Sequence, residues 1–106
     1  MNATKIAQIG LDAGADMVPM LMQVFVEELG QSQQQLQSCA FPELAALAHK
    51  IKGSAATFGA DSLQEASNAL EAYANSNQTT ELEPLRSHCI EILTQTLNAY
   101  RTNYLD

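Results

Sequence analysis

The 106-residue chain is acidic, with five Lys and Arg against twelve Asp and Glu and a net charge of −7. That balance disfavours partners whose surfaces are dominated by phosphates, so neither nucleic acid nor an anionic membrane is expected to bind it. No composition shift or low-complexity linker divides the sequence, and its length suits one compact domain over residues 1–106. Folding such a chain removes roughly two-thirds of its unfolded surface from water, enough for one core. The two cysteines, Cys39 and Cys89, have neither CxxC spacing nor the density of a disulfide scaffold, and both read as small buried hydrophobes. The first nine residues lack a basic segment followed by a continuous apolar run, which argues against a signal peptide. The most apolar stretch, Met17 to Val26, is about half the length of a spanning helix and is interrupted by Pro19 and Gln23. A cytoplasmic protein is the expectation.

Apolar residues recur every three or four positions almost throughout, without alternating β-branched runs, so an all-α fold is expected. A short amphipathic segment, Thr4 to Ala13, ends near Gly14. Asp16 is the expected N-cap of a second helix, which tolerates Pro19 in its first turn and carries Val18, Leu21, Phe25, Leu29 and Leu36. A Gln-rich tract follows to about Cys39. Pro42 opens a third helix with Glu43 near its positive end. Its apolar stripe is Leu44, Leu47, Ile51, Ala55 and Phe58, and Gly59 is the natural left-handed terminator. Asp61 or Ser62 caps a fourth helix, where Ser62 to Glu65 has capping-box form and Leu63, Ala66, Leu70 and Tyr73 make the stripe. After the polar turn Asn75 to Thr80, a second capping-box pattern at Thr80 to Glu83 opens the last helix. Leu82, Leu85, Cys89, Ile92, Thr96, Tyr100 and Tyr104 continue it in near-heptad spacing. Short connections between four such helices favour an antiparallel four-helix bundle over about residues 16–104, with the first helix covering one end.

His49 breaks this pattern. At about 100° per residue it lies about 160° from the centre of the third helix's apolar stripe, on the solvent side. The same face carries Ala45, Ala46, Gly53 and Ala56, where an ordinary exposed surface would carry long polar side chains. Glycine inside a helix costs about 1 kcal/mol relative to alanine, and no core contact on this face accounts for it at Gly53. A lone exposed histidine is ordinarily just a surface residue. Here the small neighbours would let another protein bring a reactive group to the imidazole, while Lys52 can reach an anion held there. A neutral imidazole is a nucleophile without a dedicated base, and a phosphoryl group is the electrophile that a lysine point charge would suit.

The run Ala48-His49-Lys50-Ile51-Lys52-Gly53-Ser54-Ala55-Ala56-Thr57-Phe58-Gly59-Ala60, continued by Leu63 and by Leu70-Glu71, closely resembles the signature of histidine phosphotransfer (HPt) domains. The resemblance implies that His49 accepts a phosphoryl group on Nε2 from a receiver-domain aspartate and passes it to another receiver. It implies that Lys52 stabilises the phosphoryl group and that Gly53 leaves room for the receiver's loops; Ala45 and Ala56, on the same small-residue face, complete the expected docking surface. The implied partners are receiver domains of hybrid sensor kinases and response regulators. They would bring their own Mg²⁺, so no cofactor or metal is expected on this chain, nor any kinase activity of its own. A monomer is expected, because the bundle consumes each helix stripe and the histidine must stay accessible. Ala55 departs from the pattern by replacing a frequent second Ser. Glu71 falls where other members carry Gln or another polar residue, and its role stays open.

Competing readings are weaker. A histidine-kinase dimerisation motif places an acidic residue directly after its His and a Pro five residues on, but Lys50 and Ser54 stand there. Lys52-Gly53-Ser54 lacks the upstream Gly and the strand of a P-loop. His88, followed by Glu91 and bordering the Leu85, Cys89, Ile92 stripe, reads as a partly buried structural histidine. The two histidines and two cysteines have no ligand spacing. Met17, Met20 and Met22 read as core, although Met20 and Met22 cannot both face inward. A helical adaptor that uses the small-residue face without phosphorylation is the alternative function.

Overall fold

The computed structural model describes residues 2–105, and every regular element among them is helical. In chain order these are α1 (Ala3–Ala13), a 3₁₀ turn (Ala15–Met17), α2 (Val18–Ser38), α3 (Phe41–Phe58), α4 (Asp61–Asn75), α5 (Leu82–Tyr100) and a π turn (Arg101–Leu105). Helices α2 to α5 pack in cyclic order, α5 closing on α2, which makes the antiparallel four-helix bundle expected from the periodicity. No single helix among the described residues is long and apolar enough to cross a membrane.

The core comprises Met22, Phe25, Val26, Leu29 and Leu36 of α2, Leu44, Ala48, Ile51 and Ala55 of α3, Leu63, Ala66, Leu70 and Ala74 of α4, and Leu82, Cys89, Leu93, Leu97 and Tyr100 of α5. All four stripes differ in part from expectation, with Leu47 and Phe58 of α3 and Tyr73 of α4 half-buried while Ala48 and Ala74 face the core. In α2 the inward face turns through Met22 and Val26, leaving Val18 and Leu21 half-buried, so Met22 lies inside while Met20 is 51% exposed. In α5 the buried face steps by four from Cys89 to Leu93 to Leu97, and Ile92 and Thr96 are only half-buried. A near-heptad stripe drifts around a straight 3.6-residue helix, which favours the four-residue steps. His88, expected to be partly buried, is instead exposed, because that face passes through Cys89 and Leu93. Cys89 is fully buried, and burial pushes its thiol up to about 11, whereas Cys39 is half-buried.

None of the three expected side-chain caps forms. Asp16 lies in the 3₁₀ turn, and α2 starts after Met17 with Pro19 in its first turn. Ala60 and Glu81 occupy the N-cap positions of α4 and α5, without side-chain bonds. The turns themselves set these starts. After α3 terminates, Gly59 adopts φ 76°, ψ 23°, and the Ala60 N–H bonds the Ala55 carbonyl at 2.9 Å, so α4 begins at once with Asp61 in its first turn. Before α5, the Tyr73 hydroxyl accepts from the Glu81 N–H at 2.5 Å. At the end of α2, the Arg86 guanidinium of α5 donates to the Leu36 and Cys39 carbonyls at 2.9 and 3.1 Å, a cation where the helix dipole is negative.

Helix α1 covers the end of the bundle where α3 turns into α4. The Asn2 side chain caps α1 by accepting from the Lys5 N–H, and the Asn2 N–H donates to the Gly59 carbonyl at 2.7 Å. A Cβ on Gly59 would lie 2.8 Å from the Asn2 carbonyl oxygen, so both its positive φ and this approach require glycine. At the same end Phe25 stacks on Phe58 with centroids 4.4 Å apart, and Tyr100 meets Phe25 edge-on. The Tyr100 hydroxyl donates to the Phe58 carbonyl at 2.7 Å, satisfying one of α3's terminal acceptors.

Burial pushes the Tyr100 hydroxyl up to about 12, with smaller contributions from the charges of Tyr104 and Asp61. The unfolded chain therefore ionises first, and the stability held by neutral Tyr100 is complete below about pH 10 and lost as pH rises towards 12. Tyr100→Phe is expected to lower stability by about 1–2 kcal/mol at neutral pH, through the orphaned carbonyl, and to flatten the alkaline decline in urea midpoints.

Candidate functional site

Burial of Leu44, Ala48, Ile51 and Ala55 turns the opposite face of α3 outwards and leaves the His49 side chain 70% exposed. The small side chains Ala48 and Ala55 on α3, and Ala66, Ser67 and Ala74 on α4, occupy the inward faces of the most extensively packed helix pair. With the backbones so close, Glu71 reaches across from α4. Its Oε2 lies 2.7 Å from His49 Nδ1, and its Oε1 accepts from Lys52 Nζ at 2.5 Å. His49, Lys52 and Glu71 thus form one constellation, with the Glu71 side chain only 15% exposed.

A carboxylate only accepts hydrogen bonds, so the Nδ1 of His49 must carry the hydrogen in this contact. In the neutral ring, Nε2 is then left with its lone pair, on a side chain that faces solvent. The geometry selects one tautomer and leaves the other nitrogen free to attack. Lys52 sits one turn along α3, within the same shell of charge. The Lys52 ammonium is the chief cause of holding the Glu71 carboxyl below its ordinary value; burial opposes it and the His49 hydrogen bond assists it.

Beside this constellation an open groove of about 630 Å³ runs between α3 and α4. Lys52, Gly53 and Ala56 line one wall, and Asp61, Gln64, Glu65 and Asn68 the other. Gly53 is exposed, and a Cβ there would meet nothing within 4 Å, so internal packing gives no reason for the glycine. Ala56 and Ala45 are half-buried, Ala46 exposed. The α4 wall was not anticipated from sequence, although the spacing of Asp61, Gln64, Glu65, Asn68 and Glu71 puts them on one helix face. Their relation to His49 requires the α3–α4 register, which no local pattern contains.

The depressed Glu71 carboxyl stabilises the fold above its ordinary value of 4.5, a contribution lost as pH falls through the lower folded value. Glu71→Gln keeps an acceptor oxygen but not the charge. Its urea midpoint is expected to lie below that of the wild type at neutral pH and to converge with it as pH falls below the lowered folded value.

The chain matches the family described as Hpt domain over residues 16–103. It is similar to the phosphorelay protein LuxU of Vibrio harveyi, at 33% identity across 96% of this chain and 93% of that protein. The phosphorelay protein LuxU of Vibrio cholerae serotype O1 is 32% identical across 94% and 92%, and that of Vibrio vulnificus 31% across 94% and 90%. No solved structure matches significantly. With most of its length inside one family and relatives above 30% identity along nearly the whole chain, the protein belongs to the Hpt domain family, and its work is histidine phosphotransfer in a two-component phosphorelay.

Proposed function

We propose that His49 is the phosphoacceptor and that its Nε2 takes the phosphoryl group from the phospho-aspartate of one receiver domain and yields it to the aspartate of another. The observation that carries this reading is the pairing of His49 Nδ1 with Glu71, which leaves Nε2 unencumbered on a ring that is 70% exposed. In the forward step the Nε2 lone pair attacks phosphorus, the P–O bond breaks, and its electron pair returns to the donor carboxylate. Lys52 supplies a positive charge for the phosphoryl oxygens. Catalysis of this kind depends on positioning and charge stabilisation, which a rigid bundle with one exposed histidine can provide to a visiting receiver.

Ala45, Gly53 and Ala56 serve as the close-approach surface, with the receivers belonging to hybrid sensor kinases and response regulators. Mg²⁺ belongs to the receiver's acidic pocket, and the chain holds no cofactor and has no kinase activity of its own. It works as a cytoplasmic monomer.

Incubation with a receiver domain phosphorylated by acetyl phosphate is expected to transfer acid-labile, alkali-stable label to the wild type and none to His49→Gln. Persistent label on His49→Gln would sink the assignment, and a protein that is never labelled yet binds the receiver equally well as His49→Gln would be the helical adaptor instead. Gly53→Glu puts a long anionic side chain where a Cβ now meets open space. It is expected to weaken receiver binding at least tenfold, about 1.4 kcal/mol, with helical content unchanged by circular dichroism. Unchanged transfer would remove Gly53 from the docking surface.

A further inference from the structure

A carboxylate is an unexpected neighbour for a site that must hold a phosphoryl dianion on a chain already carrying −7 net charge. Glu71 is nonetheless built into it: largely buried, with one oxygen on His49 Nδ1 and the other on Lys52. Its position resolves the conflict. The carboxylate meets the ring at Nδ1, the nitrogen across the ring from Nε2, and its charge is shared with Lys52 while the histidine is unmodified.

Taking His49 as the acceptor, we propose that Glu71 is the counter-ion of the phosphorylated ring, a positioning residue that keeps the proton on Nδ1 so that the phosphoryl group can leave. When Nε2 bonds to phosphorus, the ring keeps its Nδ1 hydrogen and becomes positively charged. Lys52 then has two anions to choose between, and its movement towards the phosphoryl oxygens leaves the full charge of Glu71 for the ring. In the transfer out, an acceptor carboxylate or water attacks phosphorus, the N–P bond breaks, and its electron pair returns to Nε2. With hydrogen on Nδ1 the leaving group is neutral imidazole; without it, the leaving group is an imidazolate anion, which departs far more slowly. Glu71 thereby extends the pH range over which the stored phosphoryl group remains transferable.

The charged groups around the ring support this division of labour. Helix α4 presents Glu71, and α3 presents Lys52 one turn on and the exposed Lys50 next in sequence. Helix α2 directs Glu28 to Ser54, at 3.3 Å, further along α3. Among these contacts only Glu71 offers negative charge to Nδ1. Gln at this position would keep an oxygen to accept from Nδ1–H and so orient the ring, but it would give the charged ring no counter-ion. Orientation and charge are therefore separable in one substitution.

The test loads the full chain with phosphoramidate, a small phosphodonor, and follows loss of the phosphoryl group to water by phosphorus NMR from about pH 5 to about pH 9. The wild type is expected to keep its fast, Nδ1-protonated regime to a pH about one unit or more above Glu71→Gln, so that above both midpoints it loses phosphate at least about tenfold faster. Equal midpoints in the two proteins would overturn the counter-ion role while leaving His49 as the acceptor. Lys52→Met, which removes the competitor for Glu71, is expected to hold the midpoint at or above that of the wild type, and a fall to the Glu71→Gln value would overturn the proposal independently. Label appearing on His49→Gln, or none on the wild type, would instead strike the acceptor assignment on which the proposal rests.

Discussion

The close pairing of α3 and α4 is the constraint on which the site depends. It is made possible by small buried side chains, Ala48 and Ala55 on one helix and Ala66, Ser67 and Ala74 on the other. Small residues allow two backbones to approach, and the short Gly59 and Ala60 connection fixes their register. Ser67 keeps this seam free of unsatisfied polar groups by donating to the Leu63 carbonyl of its own helix. Larger residues along the seam would move Glu71 away from His49 and Lys52, and the tautomeric selection would go with it.

Rigidity at one end of the bundle serves the same geometry. Tyr100 of α5 binds the last turn of α3, Phe25 of α2 stacks on Phe58, and Asn2 before α1 binds the Gly59 carbonyl. Helices α5 and α2 and the start of α1 thus converge on the turn that sets how α4 lies against α3. His49 needs no strain or burial of its own for this arrangement. It needs a fixed helix, a partner for one nitrogen, and open space at the other.

The acidic character of the chain and the acidity of its site have different meanings. Most carboxylates, Glu65 among them, are exposed and contribute to solubility and to the choice of partner through their summed field. Glu71 is different because its two oxygens are both engaged by positive or proton-bearing groups. The α3–α4 register puts this carboxylate at Nδ1, on the far side of the ring from Nε2.

Sequence alone determined much of this protein. Helical periodicity established the bundle, Gly59 announced the end of α3, and the opposition of His49 to the Leu44, Ile51, Ala55 stripe made the histidine exposed. These are properties of single helices, governed by a 3.6-residue repeat and by local backbone preferences. The capping-box patterns at Ser62 and Thr80 misled for the same reason, since turns packed against the bundle chose different starting residues. His88 and the α5 stripe depart from the sequence expectation because a near-heptad pattern leaves the inward face ambiguous until neighbouring helices select it. Glu71 had no legible role at all. Its meaning lies in the distance from its two oxygens to residues 19 and 22 positions away, and only the packing of one helix against another decides that distance.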